Sequence, residues 1–553
     1  MVSEADLVLV HPPSVYDFRR MEKYFGPVSD VVPSDPVFDM YPAGFLSIAS
    51  YLGKRGFDVR ILNVAALMLL RPSLDVERLI ARTYARVYAV DLHWAVHAHG
   101  AIEIAKLIKK YHPDCPVVFG GITSTYYFKE LLERYGCVDY VLLGDTTEKP
   151  FEDLLGVLFR GGDIEEVPNL AYRTRGGVKS TGIKFVPESL DQYCVDYDWL
   201  FSRYARRSLL LGSLPCASFL SRPIGAVISF KGCTFNCAIC GGSRRAYETF
   251  LCRKRLGRKS PEVVVEELRG LLDNLRIPVF FIGDLRLLGD DASRLISLVK
   301  EEGVDAELMF EFFTPPPRSF LEELRGVAPR VILQISPETP NEELRMRIGR
   351  PYGNSELRRF LKNASSLGFD RVDMYFMIGL AGQKPGEGEL IARFADSLIA
   401  EAGSKDRVAI FAAPLSPFLD PGSIAFEEAP KSGYTLRART LEEHRKLLTE
   451  PTWWDSLNYE TVTMTRREIA AETYRTAIEL ARVNLKWGAI SEEEAEHVAE
   501  AAKTALEVVE NNAKPPTRGG EEIVRKTYLY PSHSLFLSVR PKLALRLLKG
   551  LLS

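Results

Sequence analysis

The sequence predicts an α/β protein with three domains in series: a doubly wound sheet, a partial barrel and a helical domain. At 553 residues the chain is too long for one core. Two series of apolar runs alternate with helix-period segments, and charged helical patterns replace them after about residue 430. The expected boundaries are 1–165, 166–222 (a connector), 223–430 and 431–553.

The first series predicts a doubly wound, flavodoxin-like parallel sheet. Its strands are expected at Leu7–Val10, Val59–Val64, Val87–Val90, Val117–Phe119 and Tyr140–Leu143. Such sheets bind ligands beyond the carboxyl ends of their strands. The residues that follow the strands are therefore candidates for binding: His11, Pro12, Asp91, Leu92, His93, Gly120, Gly121 and Gly144.

The connector is irregular in pattern, with Gly and Pro turns, and a second alternating series follows it. Strands are expected at Ala226–Phe230, Val279–Gly283, Glu307–Phe312, Val331–Ser336, Val372–Ile378 and Val408–Ala412. Six strand-helix units are two short of a complete eight-fold barrel, so the series predicts an open (β/α)6 barrel. Ser260 as N-cap and Pro261 at the first helical position mark one helix start.

Helices are expected to fill the last domain, notably over Arg466–Lys486 and Glu492–Asn511. The tail from Pro541 to Ser553 is basic and amphipathic, with Leu543, Leu547 and Leu551 on one helical face. The favoured interpretation is that these leucines pack against the protein. The alternative is contact with the surface of an anionic membrane.

The composition of the chain bears on its binding partners and on its location in the cell. A net charge of −2 predicts no nucleic acid partner. The N-terminal residues lack a signal-like pattern, and no apolar stretch approaches the roughly 20 residues of a membrane span, so we expect a cytoplasmic protein. The scarcity of glutamine beside abundant Arg, Lys and Glu favours a thermophilic source.

Three cysteines carry the clearest chemical signal, in Cys233-Thr-Phe-Asn-Cys237-Ala-Ile-Cys240. Three thiolates on a tight loop can ligate three irons of a cubane cluster and leave the fourth iron open for substrate or cofactor. The alternative is zinc, but structural zinc sites use four ligands, and Cys252 has no paired spacing. The sequence therefore predicts a 4Fe-4S cluster.

This loop, placed after a first barrel strand, resembles the signature of the radical S-adenosylmethionine (SAM) superfamily, and the resemblance covers about residues 223–415. It implies that the open iron chelates SAM and that reductive cleavage gives a 5′-deoxyadenosyl radical. Ile239 occupies a position that is usually aromatic in the family and implies a contact near adenine.

Three further barrel segments resemble the SAM-binding elements of that superfamily. Gly283-Asp284 implies the group that receives the SAM amino group, Ser336-Pro337-Glu338 the ribose contact, and Gly379 the start of the adenine-side loop. Each segment reads equally well as an ordinary strand-to-helix turn.

The N-terminal domain resembles the cobalamin-binding domain of class B radical SAM enzymes, through Tyr41–Phe45, Val118–Gly121 and Gly144–Glu148. Glu148 joins the strand-end candidates through this resemblance, and the Gly pair implies close approach of the corrin nucleotide tail. A nucleotide- or flavin-binding domain of the same fold is the alternative.

Asp91-Leu92-His93 is similar to a loop whose histidine ligates cobalt in other cobalamin proteins, but it follows the wrong strand and Val96 replaces the expected Gly. We therefore expect cobalamin to bind without a histidine on its lower face. His93, His97 and His99 lack the carboxylate or Cys that would complete a metal site.

The combined resemblance implies an enzyme that methylates an unactivated carbon of a small molecule or lipid, using the 5′-deoxyadenosyl radical and methylcobalamin. Ring formation or rearrangement without net methylation, and a non-catalytic cobalamin sensor, are the alternatives. A basic stretch from Arg244 to Lys259 is either a solvated face or a docking site for an acidic electron donor such as ferredoxin or flavodoxin.

Overall fold

The computed structural model describes residues 4–27, 35–206, 210–403, 405, 407–415, 418–511 and 535–552. In the N-terminal part the strands are β1 Ala5–His11, β2 Val59–Asn63, β3 Ala85–Asp91, β4 Val117–Gly120, β5 Tyr140–Leu142, β6 Leu170–Thr174 and β7 Gly177–Ser180. The helices are α1 Gly44–Lys54, α2 Val64–Leu70, α3 Val76–Ala81, α4 Ala98–Tyr111, α5 Ile122–Tyr126, α6 Phe128–Arg134 and α7 Glu148–Arg160.

These strands form one sheet in the order β2-β1-β3-β4-β5-β6-β7. The pairs from β2 to β5 are parallel. The order 2-1-3-4-5 is that of flavodoxin-like doubly wound sheets, whose topological switch point lies between β1 and β3. The predicted fold class of this domain is confirmed.

The predicted connector was expected to be irregular, but it contains the hairpin β6-β7, which extends the first sheet antiparallel to β5. Helix α8, Tyr197–Arg206, follows the hairpin. Asn169, fully buried before β6, holds the hairpin by donating to the carbonyls of Leu143 and Phe185.

The second domain is an open barrel. Its strands are β8 Gly225–Ile228, β9 Phe230–Lys231, β10 Gly257–Arg258, β11 Val279–Ile282, β12 Glu307–Phe312, β13 Arg330–Glu338, β14 Arg371–Ile378 and β15 Val408–Pro414. Its helices are α9 Arg244–Phe250, α10 Pro261–Leu272, α11 Asp290–Glu302, α12 Arg318–Leu324, α13 Glu342–Arg347, α14 Asn354–Leu367 and α15 Glu387–Ala402.

Six parallel strands of the second domain lie in sequential order, β8-β11-β12-β13-β14-β15, and β8 and β15 are not paired with each other. This arrangement confirms the partial barrel. Helix α10 begins as predicted, with Ser260 as N-cap and Pro261 at its first position. Because all six strands are parallel, their carboxyl ends meet at one rim, where loops can assemble a site.

The C-terminal part is mostly helical, with α16 Ile424–Glu427, α17 Leu441–Leu447, α18 Arg466–Lys486, α19 Glu492–Glu510, α20 Leu535–Ser538 and α21 Pro541–Leu552. The expectation that strands stop near residue 430 is wrong, because β16 Tyr434–Leu436 pairs antiparallel with β17 Tyr459–Thr461. Helix α18 has the predicted bounds, and its N-cap Thr465 forms a capping box with Glu468.

The basic tail packs against the protein along its described side chains. Leu543 is 3% exposed. Lys542 bonds to Asp198 and Asp273, and Arg546 bonds to Asp198. These contacts favour the packing interpretation of the tail; the side chain of Leu551 lies outside the described residues. No helix among the described residues has the length and apolar character needed to cross a membrane.

Candidate functional site

The cysteine loop follows β9 directly and is held from both sides. The Ala238 amide donates to the carbonyl of Ile348, and the Arg244 amide donates to that of Phe235. Gly349 lies so close that an added Cβ would be 2.6 Å from the carbonyl oxygen of Asn236, and its φ is +93°. The loop conformation is therefore fixed by backbone contacts before any ligand binds.

The cysteine side chains suit a cubane cluster. Cys233 and Cys237 are partly exposed and Cys240 is exposed. Backbone amides donate to two of the sulfurs: Phe235 to Cys233 at 3.4 Å and Gly242 to Cys240 at 3.3 Å. Hydrogen bonds of this kind stabilise negative charge on cluster sulfurs. The predicted triad is thus brought together on one accessible loop.

The pKa values of these thiols are raised, so a nearby positive charge is needed to stabilise the thiolates. Burial raises the pKa of Cys233 and of Cys237. Iron would supply the missing positive charge. Within the described residues, no three His, Cys, Asp or Glu side chains converge on a single-ion site.

Two charged residues that the sequence did not single out lie beside this loop. Arg350 donates to Glu338 at 2.7 Å, and its charge partly offsets the burial-induced rise in the pKa of Cys237. Glu311 accepts the Gly283 amide at 2.8 Å, and burial raises its pKa. Arg350 is a guanidinium suited to a carboxylate ligand, and Glu311 is a carboxylate suited to an ammonium group.

The structure contradicts the expected role of Asp284. Its carboxylate accepts from the Arg286 amide, Nε and Nη2 and from the Phe313 amide, at 2.5–3.1 Å, and it is 1% exposed. A carboxylate has about four acceptor positions, so these donors leave none for the SAM amino group. Packing requires glycine at position 283, because an added Cβ would lie 2.7 Å from the Phe230 ring.

The other predicted SAM residues lie at the rim with unequal access. Ser336 is partly exposed, whereas Ile239 is 8% and Glu338 5% exposed. Glu338 has a φ of +67°, an uncommon conformation for a residue with a side chain. The fully buried Arg345 holds this turn by donating to the carbonyls of Pro337 and Thr339. Strained backbone with dedicated support is typical of functional loops.

The loop that begins at Gly379 is clamped by the C-terminal part of the chain. Tyr434 accepts the Ala381 amide through its hydroxyl at 3.0 Å, and Thr463 donates to the Gln383 carbonyl at 2.5 Å. Gly379 itself is buried, and an added Cβ would lie 2.4 Å from the Tyr459 hydroxyl. The small residue at this position therefore accommodates Tyr459.

Most of the predicted cobalamin contacts are inside the protein. His11, Pro12, Asp91, Leu92, Gly144 and Glu148 are all buried. Their burial argues against broad contact with a ligand in this conformation, and their roles at a cobalamin site stay predictions. Both ring nitrogens of His11 are hydrogen-bonded within the protein, one to Asp91 at 3.0 Å and the other to the carbonyl of Phe38 at 3.1 Å.

The accessible rim of the first sheet consists of His93, Gly120 and Gly121, with Trp94 47% exposed beside them. An added Cβ on Gly120 would meet no atom within 4 Å, so this glycine leaves open space at the rim. On Gly121 it would lie 2.5 Å from the Cα of His93, so that glycine serves internal packing. Of the residues predicted to bind cobalamin, His93, Gly120 and Gly121 are therefore the accessible ones, and their role stays a prediction.

His93 is the accessible histidine of this region, because His11, His97 and His99 are buried. His97 is paired with the Phe38 carbonyl, and His99 accepts the Tyr16 amide. Partial burial lowers the pKa of His93. Cobalt ligation by histidine, which the sequence argues against, therefore depends on this one residue.

The two predicted cofactor sites touch directly. Lys231, two residues before Cys233, donates to the Asp145 carbonyl at 2.7 Å. Arg253 donates to both carboxylate oxygens of Asp145, at 2.5 and 3.0 Å, and to Thr146. The Arg253 and Asp145 side chains are 1% and 7% exposed. A buried ion pair therefore fixes the loop after β5 against the cysteine loop.

Both the first sheet and the open barrel match known protein families. Residues 30–155 match the family described as B12 binding domain, and residues 227–395 match the Radical SAM superfamily. A solved structure of TsrM, a radical SAM methyltransferase from Kitasatospora setae with cobalamin and a [4Fe-4S] cluster bound, is similar with a TM-score of 0.59. That likeness covers 94% of this chain and 98% of the other at 14% identity, and shows the fold.

Two curated relatives share part of the sequence. An uncharacterized methyltransferase of Pyrococcus horikoshii is 25% identical over 54% of this chain and 58% of its own length. The hopanoid C-3 methylase of Methylococcus capsulatus is 28% identical over 44% of this chain and 42% of its own length. The chain thus matches about half the length of these relatives.

Proposed function

Because the chain belongs to the radical SAM superfamily and carries a B12-binding domain ahead of its radical SAM domain, we propose that it methylates an unactivated carbon. The two domains assign a 4Fe-4S cluster, SAM and cobalamin as its cofactors. When bound, these groups supply the radical and methyl chemistry. Substrates named for the relatives, such as a hopanoid lipid, support a small molecule or lipid as acceptor.

The direct contact between the two cofactor loops is the observation that carries this proposal. Lys231 and Arg253 hold Asp145 of the first domain against the segment that leads into Cys233. A cobalamin sensor has no need for three accessible thiols beside such a contact. Methyl transfer does need both sites to face one cavity, because the acceptor must reach each of them in one turnover.

The chain's own residues have distinct roles in this scheme. Cys233, Cys237 and Cys240 would hold the cluster. Arg350, fixed by Glu338, and Glu311 offer opposite charges for orienting a zwitterionic ligand beside it. The buried clamp around Gly379 keeps that rim closed to water from the C-terminal side.

Reconstitution with deuterated SAM tests the proposal. The purified chain, loaded anaerobically with iron, sulfide and cobalamin, should add a CD3 group to a metabolite or lipid from a lysate, read by mass spectrometry. A product of unchanged carbon count would favour ring formation or rearrangement, and bound cobalamin without SAM cleavage would favour the sensor. The Cys237→Ala variant should give no product.

An electron source is also required, and we propose an acidic ferredoxin or flavodoxin in the cytoplasm. The support is chemical: SAM cleavage consumes an electron, and free thiols beside an iron site suit a reducing compartment. Reduction of the loaded enzyme by flavodoxin, measured as bleaching of the cluster absorbance, would test the donor. For the tail, its ion pairs with Asp198 lead us to propose packing rather than membrane contact.

A further inference from the structure

A basic pocket opens beside the cysteine loop and is lined in part by Cys233. Its volume is about 450 Å³. The floor consists of Gly232, Cys233 and Thr234, and the cationic wall consists of Arg244, Arg253, Lys254, Arg255 and Arg258. Glu188 is the acidic residue that lines it. Within the described residues, this pocket therefore carries a strong excess of positive charge.

Apart from Arg253, the cations of the wall are at most weakly paired within the protein. Arg253 is paired with Asp145, but Lys254 is exposed and has no hydrogen-bond or ion-pair partner among the described residues. Arg255 meets Glu188 at 3.5 Å with side chains 79% and 65% exposed, a weak pair in water. Arg244 approaches Glu248 only at 4.0 Å.

Arg258 is positioned rather than paired. Its Nη1 and Nη2 donate to the carbonyls of Leu288 and Leu287, both at 3.2 Å. These bonds hold the guanidinium in place without cancelling its charge, which is how proteins prepare an arginine for an oxyanion. A solvated surface would not require this fixation.

We propose that the pocket binds the phosphoryl group of a phosphorylated small molecule. Its volume lies in the range of small-molecule sites, whereas a flat protein partner would leave such a concavity unfilled. Several converging cations match a multiply charged oxyanion better than a single carboxylate. Because Cys233 forms part of the floor, a substrate anchored here would extend toward the cluster; this last step rests on the proposed function.

Calorimetric titration of the full chain tests the pocket without any cofactor. One probe is inorganic phosphate, which represents a free phosphate group, and the other is glycerol 1-phosphate, which represents the headgroup of a phospholipid; the probe that binds more tightly indicates the source. We expect one saturable site per chain that weakens as salt is raised. The double variant Lys254→Ala/Arg255→Ala should bind at least tenfold more weakly, and Lys254→Arg should retain binding.

Lys300→Ala is the matched control, since it removes an exposed cation from helix α11. Failure of both probes to saturate, or equal weakening by Lys300→Ala, would overturn the proposal. So would binding of an acidic flavodoxin that depends on Lys254 while neither phosphate binds, because the face would then dock a protein. SAM cleavage by the wild-type enzyme is a separate assay: cleavage without phosphate binding rejects only the pocket, and binding without cleavage rejects only the proposed function.

Discussion

Replacing Arg253 by Met should release the loop after β5 from the cysteine loop. The guanidinium makes three bonds to Asp145 and Thr146 and one to the Pro187 carbonyl, and its side chain is 1% exposed. Removing one partner of a buried ion pair costs roughly 3–5 kcal/mol, because the other charge is left unpaired. At about 1.4 kcal/mol per tenfold change, local opening should become roughly 10² to 4 × 10³ times more frequent.

Hydrogen-deuterium exchange measured by mass spectrometry reads this opening in peptides that cover residues 140–150 and 226–236. Both peptides should exchange faster in Arg253→Met, because each side of the contact loses its partner. The double variant Arg253→Met/Asp145→Asn should recover part of the protection, since it leaves no buried charge.

Arg255→Met is the matched control, because its pair with Glu188 is exposed and worth about 0–1 kcal/mol. Exchange in that variant should stay within about fivefold of the wild type. Unchanged exchange in Arg253→Met, or an equal change in the control, would refute the view that the buried pair holds the two cofactor loops together.

Four further outcomes are expected. Cys237→Ala should lose iron loading and SAM cleavage while the exposed Cys252→Ala keeps both; iron retained by the first variant would contradict the cluster. Electron paramagnetic resonance of the cob(II)alamin form should show no axial nitrogen splitting, and a splitting abolished by His93→Ala would reverse this. Burial lowers the pKa of His444 to about 4, below its unfolded value, so the fall in stability from pH 7 to 5 in urea titrations should be about 2 kcal/mol smaller in His444→Gln than in the wild type. Truncation after Arg540 should lower stability without changing flotation with anionic vesicles; salt-sensitive flotation lost on truncation would favour the membrane alternative.

Secondary structure was predictable where the pattern was long and local. The strand Glu307–Phe312 and the helix Arg466–Lys486 have the predicted bounds, because a strand with a run of three apolar residues and a capped 21-residue helix are specified by their own residues. The hairpin β6-β7 was missed because its second strand, Gly177–Ser180, is short and mostly exposed, so it has no apolar pattern. Strands β16 and β17 were missed because their pairing spans more than twenty residues.

The site residues that could be predicted are those that lie close together in the sequence, and those that were missed come together only in the fold. The triad of Cys233, Cys237 and Cys240 was visible because one loop supplies all three ligands. Arg350 and Glu311 come from separate parts of the barrel and become neighbours only when the sheet curves. No local spacing marks them. Asp284 shows the reverse error: its position after β11 was predicted correctly, but Arg286, two residues on, takes up its carboxylate.

Ligands of doubly wound sheets bind beyond the carboxyl ends of the strands, but this rule does not identify which residues there contact the ligand. The rule places His11 and Asp91 at the carboxyl ends of β1 and β3, and both are there. Adjacent strand ends also bring the two side chains within 3.0 Å of each other. Although burial raises the pKa of Asp91, the bond from His11 lowers it below its ordinary value, so the pair satisfies itself inside the protein. His93 and Gly120 are partly exposed at the same edge, so they remain the predicted contacts for a corrin that a rule of position alone could not separate from the buried pair.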